Sequence, residues 1–147
     1  INALRQVMGV EPLQAMAFDR RREGTELDTT MNGFLQFPNG AVGHIWSSTE
    51  GPQRAMLEVI GTNGTIVVDG IFSETVPVTV NRTGKEPQVL EITSADRFRM
   101  QLDEFSECVL TGKNPEFPVD DALRNMASVL AIYESADTGR AASVEQI

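Results

Sequence analysis

Residues 29–49 read TTMNGFLQFPNGAVGHIWSST, and their period decides the class of the fold. Met31, Gly33, Leu35 and Phe37 alternate with Thr30, Asn32, Phe34 and Gln36, the two-residue repeat that puts one set of side chains on each face of a strand. Pro38-Asn39-Gly40 turns the chain, and Ala41 to Thr49 runs back. Asn-Gly between two extended runs is a strong short-range hairpin signal, because both residues tolerate positive φ. Strands joined by so tight a turn must be antiparallel.

The same device recurs downstream. Asn63-Gly64 joins Met56–Gly61 to Thr65–Asp69, and two further β-rich pieces follow at Thr75–Asn81 and Gln88–Thr93. Upstream, Leu13 to Phe18 reads as extended, and Ser143 to Ile147 is expected to add a short edge strand. The period changes after Asp96, where Phe98, Leu102, Phe105 and Val109 lie on one face of a helix that stops at Gly112. Ser94 or Asp96 can cap its start. Pro115 and Pro118 break the connector, and a second helix begins at Asp120 or Asp121 and ends at Gly139. Asn2 to Met8 reads as the tail of a helix closed by Gly9. A run of strands followed by a run of helices is α+β. The expected architecture is one domain over 1–147, with a large open-faced, predominantly antiparallel sheet of about seven to eight strands and helices packed on one face.

Composition narrows the partners. The chain has 147 residues, 41% of them hydrophobic, and a formal charge of -9. That balance argues against nucleic acid and anionic membranes, whose phosphates need clustered Lys and Arg. The one basic run, Arg20 to Arg22, sits beside Glu23 and Glu26 and reads as a solvated loop. A single cysteine, Cys108, leaves no internal disulfide and reads as a small core residue. No apolar run approaches the roughly 20 residues of a membrane span, and no signal peptide is visible, so a cytoplasmic protein is expected. The chain starts at Ile1 rather than Met, which points to a start inside a longer chain or after processing. No G-x-G-x-x-G follows a strand, no P-loop or H-E-x-x-H occurs, and His44 is the one histidine. Composition and spacing alone stop at a soluble α+β domain.

Five segments, in order, carry a resemblance. They are Asn2-Ala3-Leu4-Arg5 through Gly9-x-Glu11-Pro12; Asp28-Thr29 with Leu35-Gln36-Phe37-Pro38-Asn39-Gly40-Ala41; and Ile60-Gly61-Thr62-Asn63-Gly64-Thr65-Ile66. Phe98, Gln101, Asp103 and Phe105 form the fourth, and Ala131-Ile132-Tyr133-Glu134-Ser135-Ala136 before Thr138-Gly139-Arg140 the fifth. Together they resemble the C-terminal domain of the Gfo/Idh/MocA oxidoreductases, in the branch of glucose–fructose oxidoreductase and dihydrodiol or xylose dehydrogenases. The resemblance implies a partner Rossmann domain on the N-terminal side that binds NAD or NADP, and a sugar, polyol or related diol held between the two domains. It implies acid–base residues, an Asp and a Tyr or His, on the helix before Ile1, with a lysine from the Rossmann domain. No catalytic, cofactor-binding or metal-binding residue is then expected in 1–147. The chain by itself should bind no dinucleotide and be inactive, and it should form a homodimer through the open sheet face.

The candidates for contact with substrate are Asn2, Arg97, Gln101, His44 and Trp46. Asn2 lies one turn beyond the family's Tyr/His position and is otherwise an exposed end residue. Arg97 and Gln101 open the penultimate helix, beside Phe98 and Phe105, whose shared face reads as core. His44 and Trp46 share a strand face; a half-buried or interface histidine and a packing tryptophan are the plainer readings. Arg5 reads as a structural pair, with substrate or phosphate contact as the sharper alternative. Two rivals outside enzymology remain: a stand-alone dimerisation or sugar-binding module, and a non-catalytic sugar-sensing regulator.

Overall fold

In a computed structural model that describes residues 1–93 and 95–147, the chain divides into two units, Ile1–Gly51 with Glu116–Ile147, and Pro52–Pro115. The first unit holds α1 (Asn2–Met8), β1 (Gln14–Arg21), β2 (Asp28–Gln36) and β3 (Val42–Ser48). The second holds β4 (Met56–Gly61), β5 (Gly64–Asp69), β6 (Thr75–Arg82), β7 (Gln88–Thr93) and α2 (Arg97–Thr111). The chain then completes the first unit with α3 (Val119–Thr138) and β8 (Ala142–Ser143). The α+β class stands, and every strand pairing is antiparallel. The ladders form two four-stranded sheets, β3-β2-β1-β8 and β4-β5-β6-β7. The alternating pattern lapses at Gly51-Pro52 after β3, and proline has no N–H to give a ladder.

In the first unit the register places Ala15, Leu35 and Gly43 in one row and Ala17, Gly33 and Ile45 in the next. These rows form the covered face. Ala127, Ala131 and Ile132 of α3 close over them, together with Met31, Phe37, Ala142 and Val144. Ile1, Leu4 and Met8 of α1 pack against the same cluster. Small residues let the helices come close: a Cβ on Gly43 would stand 2.9 Å from Leu4 Cδ1. Leu35, Phe37 and Ile132 are fully buried, each contributing on the order of 1.5–3 kcal/mol of transfer free energy.

The β2–β3 hairpin turns at Asn39-Gly40 as read, and one of the two residues uses its tolerance of positive φ. Among the described residues only glycines have it, and Gly40 does so at φ 80. Asn39 contributes its side chain instead, accepting the Ala41 N–H at 3.0 Å. The Gly40 N–H meets the Phe37 carbonyl at 3.0 Å, which closes the turn.

In the second unit one sheet face carries Leu57, Val59, Ile66, Val68, Val78, Val80 and Leu90, as the cross-strand pairs dictate. Asp96 caps α2, accepting from the Phe98 and Arg99 N–H groups at 3.1 Å each; the alternative cap, Ser94, lies outside the described residues. Phe98 and Phe105 do not form a core as expected: they are 75% and 64% exposed. Helical period reports a shared face, and burial needs a second surface against it. Cys108 is buried, as its reading required.

Candidate functional site

A buried ion-paired cluster lies at α1. Arg5 is only 3% exposed, and a buried cation is tolerable when its donors are matched by carboxylates. Its Nε donates to Glu11 Oε2 at 2.6 Å and its Nη2 to Glu11 Oε1 at 2.8 Å, the two-pronged geometry in which Arg binds carboxylate best. Nη2 also reaches Asp121 Oδ1 at 2.8 Å, at the start of α3. The hydrogen bonds it donates to Glu11, and after them the one to Asp121, raise the guanidinium pKa against the opposing effect of burial. The helix stop brings this about locally: the Gly9 N–H returns to the Arg5 carbonyl at 2.9 Å, and Glu11 follows directly after.

Asn2, the first residue of α1, lies on the exposed rim of this cluster. Its Oδ1 accepts from Arg5 Nη1 and from Gln6 Nε2, each at 3.4 Å. Among the described residues the Asn2 amide nitrogen has no acceptor.

His44 and Trp46 stand on the other face of that sheet. The rows there run Gln14, Gln36, Val42; then Met16, Phe34, His44; then Phe18, Asn32, Trp46; and finally Arg20, Thr30, Ser48. The His44 ring stacks on Phe34 with centroids 4.9 Å apart and planes at 26°. His44 is exposed rather than half-buried, and Trp46 is 49% exposed. No helix of this unit covers these rows, because α1 and α3 pack on the opposite face. Asn2 therefore shares no pocket with His44 or Trp46.

Arg97 and Gln101 belong to the second unit, both on the surface of α2. The Arg97 guanidinium carbon lies 4.9 Å from the centroid of the Phe72 ring, a cation–π arrangement. Arg97 and Phe72 border a shallow hollow of about 260 Å³ that Ser73, Glu74 and Asp96 also line. Gln101 is outside its lining. A second hollow, about 320 Å³, follows the Asn63-Gly64 turn between Val59, Ile66, Val80 and Arg82. Among the described residues no group of three or more His, Cys, Asp or Glu side chains could hold a metal ion, and no helix is long and apolar enough to cross a membrane.

The Arg5–Glu11 half of the α1 cluster has a sequence signal, an Arg and a Glu flanking a helix-ending glycine. The Asp121 half has none, since it arrives from 116 residues away.

Comparison with known proteins gives a consistent result. The family model described as "Oxidoreductase family, C-terminal alpha/beta domain" matches residues 1–145. The chain is 28% identical over 149 residues to D-xylose 1-dehydrogenase (NADP(+)) 2 of Haloferax volcanii, covering 99% of this chain and 45% of that protein. It is 25% identical over 150 residues to 1,5-anhydro-D-fructose reductase of Ensifer adhaerens, covering 98% of this chain and 44% of that one. Among solved structures, aldose-aldose oxidoreductase from Caulobacter crescentus, complexed with glycerol, superposes with a TM-score of 0.85 at 29% identity, over 97% of this chain and 44% of the other. The chain thus spans about half the length of the curated relatives it matches.

Proposed function

This chain belongs to the Gfo/Idh/MocA oxidoreductase family through its C-terminal alpha/beta domain, and from that premise we propose that residues 1–147 are the substrate-side half of a NAD- or NADP-dependent oxidoreductase acting on a sugar, polyol or related diol. The observation that carries the reading is the 28% identity to an NADP-dependent xylose dehydrogenase across 99% of the chain. In such a reaction the nicotinamide takes hydride from carbon while a base removes the hydroxyl proton.

Residues 1–147 do not fit a dinucleotide. All strand pairings among the described residues are antiparallel, and no βαβ unit with a glycine-rich turn is present to cradle a pyrophosphate. The cradle and the proton-transferring residues are assigned to a preceding Rossmann domain and its connecting helix. The part left to this chain is to bind and orient the substrate. In the first unit Asn2 is the residue proposed to touch it, and in the second unit, taken by itself, Arg97 and Gln101 on α2 are the candidates. His44 and Trp46, on the open face of the first sheet, fit contact with a second copy of the chain better than a site shared with Asn2. A large uncovered sheet face favours such an isologous dimer.

Dinucleotide reduction is the test, measured with D-xylose and other aldoses on the 147-residue chain and on the product of the full coding sequence. The longer protein should reduce NAD or NADP and the chain alone should not. Turnover by the 147 residues alone would overturn the proposal, as would a coding sequence with no G-x-G-x-x-G ahead of Ile1.

A further inference from the structure

We infer that Asn39-Gly40 is a self-modification site, at which the Asn39 side chain closes on the Gly40 nitrogen and loses ammonia, while the same dipeptide elsewhere in the chain is shielded by its strands. The inference stands apart from the oxidoreductase reading above.

Asn-Gly occurs three times, at Asn32-Gly33, Asn39-Gly40 and Asn63-Gly64. The chemistry open to each is the same. The glycine amide nitrogen gives its proton to water and attacks Cγ of the asparagine. A nitrogen–carbon bond forms, the Cγ–Nδ2 bond breaks, and Nδ2 takes up a proton and leaves as ammonia. Water then opens the cyclic imide at either carbonyl, which yields aspartate or isoaspartate with no change in oxidation state. Glycine permits the closure because no Cβ obstructs the ring. What differs between the three is the freedom of the glycine nitrogen to reach Cγ.

Gly33 is buried in the middle of β2, paired with Ala17 on one side and Ile45 on the other. Gly64 opens β5 and is likewise flanked, by Gly61 of β4 and Arg82 of β6. The Asn63 carbonyl accepts the Thr83 N–H at 3.0 Å, which fixes the peptide unit that holds the Gly64 nitrogen. Freeing either nitrogen means opening a ladder, at a cost that rises with the stability of the sheet.

Gly40 has no such neighbours. The β2–β3 ladder ends at Gln36 and Val42, and Asn39 and Gly40 are both exposed. One local hydrogen bond holds the nitrogen, to the Phe37 carbonyl at 3.0 Å, and opening it disturbs only the turn. Asn39 Oδ1 accepts the Ala41 N–H at 3.0 Å. A side chain bonded to the amide two residues on lies back across the intervening peptide. The contact thus brings Cγ toward the Gly40 nitrogen and draws electron density from the carbon to be attacked.

The test ages the product of the full coding sequence in mildly alkaline buffer, with and without urea. Tryptic digestion and tandem mass spectrometry then map aspartate and isoaspartate. Cleavage after Arg22, Arg54 and Arg82 puts Asn32 and Asn39 on one peptide and Asn63 on the next, and fragment ions separate the first two. In the folded protein Asn39 should convert at least about tenfold faster than Asn32 or Asn63, a ratio that needs only a modest difference in opening cost. In urea the three should converge to within about threefold, because the unfolded chain holds none of these glycines in a ladder. Asn39→Ser keeps an oxygen for the Ala41 N–H and removes the amide, so ammonia release from the folded protein should fall severalfold. A smaller ratio in the folded protein overturns the inference. So does a preference for Asn39 that persists in urea, which would trace it to flanking sequence instead of fold. Undiminished ammonia release from Asn39→Ser would overturn it as well.

Discussion

The hydroxyl of Ser135 on α3 lies 2.9 Å from the backbone nitrogen of Ala17 on β1 and accepts its hydrogen bond. β8 pairs with β1 only at Gln14 and Ala15, so beyond that point the outer edge of β1 has no neighbouring strand. Ser135 stands in for one. Its own proton goes to the Arg140 carbonyl at 2.6 Å, which ties down the segment leaving α3. Ser135 and Ala17 are both 0% exposed, so water cannot replace the bond from the Ala17 N–H. Ser135→Ala should destabilise the first unit by about 1–3 kcal/mol, the cost of leaving the buried Ala17 N–H unpaired. Urea unfolding measures this, and a change below roughly 0.5 kcal/mol would show the hydroxyl to be dispensable.

Tyr133, two residues before Ser135 on α3, donates its phenolic proton to Asp28 Oδ1 at 3.0 Å. That hydrogen bond, with burial second, raises the phenol pKa above its ordinary value. A group whose folded pKa is raised contributes stability that is whole below the unfolded value near 10 and is lost as pH climbs through the folded one. Alkaline titration should therefore loosen the first unit only above about pH 10. Tyr133 is the one tyrosine in the chain, so tyrosinate absorbance follows it without overlap. The transition should come later than for free tyrosine, and Asp28→Asn should bring it back toward the ordinary value. An unshifted midpoint in the wild type would refute the contact.

Gly61 and Gly64 face each other across the β4–β5 turn yet differ in tolerance. A Cβ on Gly64 would lie 1.9 Å from the Asn81 carbonyl oxygen, a backbone atom with nowhere to move, and its φ is 149. A Cβ on Gly61 would meet nothing nearer than 3.7 Å. Gly64→Ala should cost at least about 2 kcal/mol through backbone strain and overpacking, and Gly61→Ala should stay within roughly 0.5 kcal/mol. Hydrogen exchange at β5 and β6 amides would locate the damage. Equal losses from the two substitutions would mean that the close approach to Asn81 is absent.

Local pattern carried what depends on neighbours in the chain. β4 and β7 begin and end where alternation placed them, at Met56–Gly61 and Gln88–Thr93, because strand period and turn chemistry are written within a few residues. Gly9 and Gly112 stop their helices for the same reason. Long-range pairing was invisible: nothing in the spacing tells Asp121 to seek Arg5, or Ser135 to seek Ala17. The helical face of Phe98 and Phe105 was read correctly as a face and wrongly as core, since periodicity does not state what lies opposite. Asn2 entered the site through family resemblance. The orientation of its amide is legible only once the three partners of Arg5 are in place.

The open face of the first sheet supplies the last test. Phe18, Phe34, Val42 and Trp46 are all exposed on it, and the rows from Gln14 to Ser48 contain no carboxylate. Arg20, at one end, is paired with Glu50 at 3.0 Å. A chain of net charge -9 repels its own copy, and a face without carboxylates opposes that contact least. Two copies related by a two-fold axis could lay these aromatic rows together without burying an unpaired acid. Sedimentation should then show a dimer at micromolar concentration. Trp46 is the one tryptophan, so its emission should shift to the blue as concentration rises and the indole leaves water. Phe34→Asp would place a charge in the middle row and should weaken association by about 100-fold or more, the scale of an unpaired buried charge, with the far-ultraviolet spectrum unchanged. A wild type that remains monomeric, with concentration-independent emission, would assign this face to some other occupant.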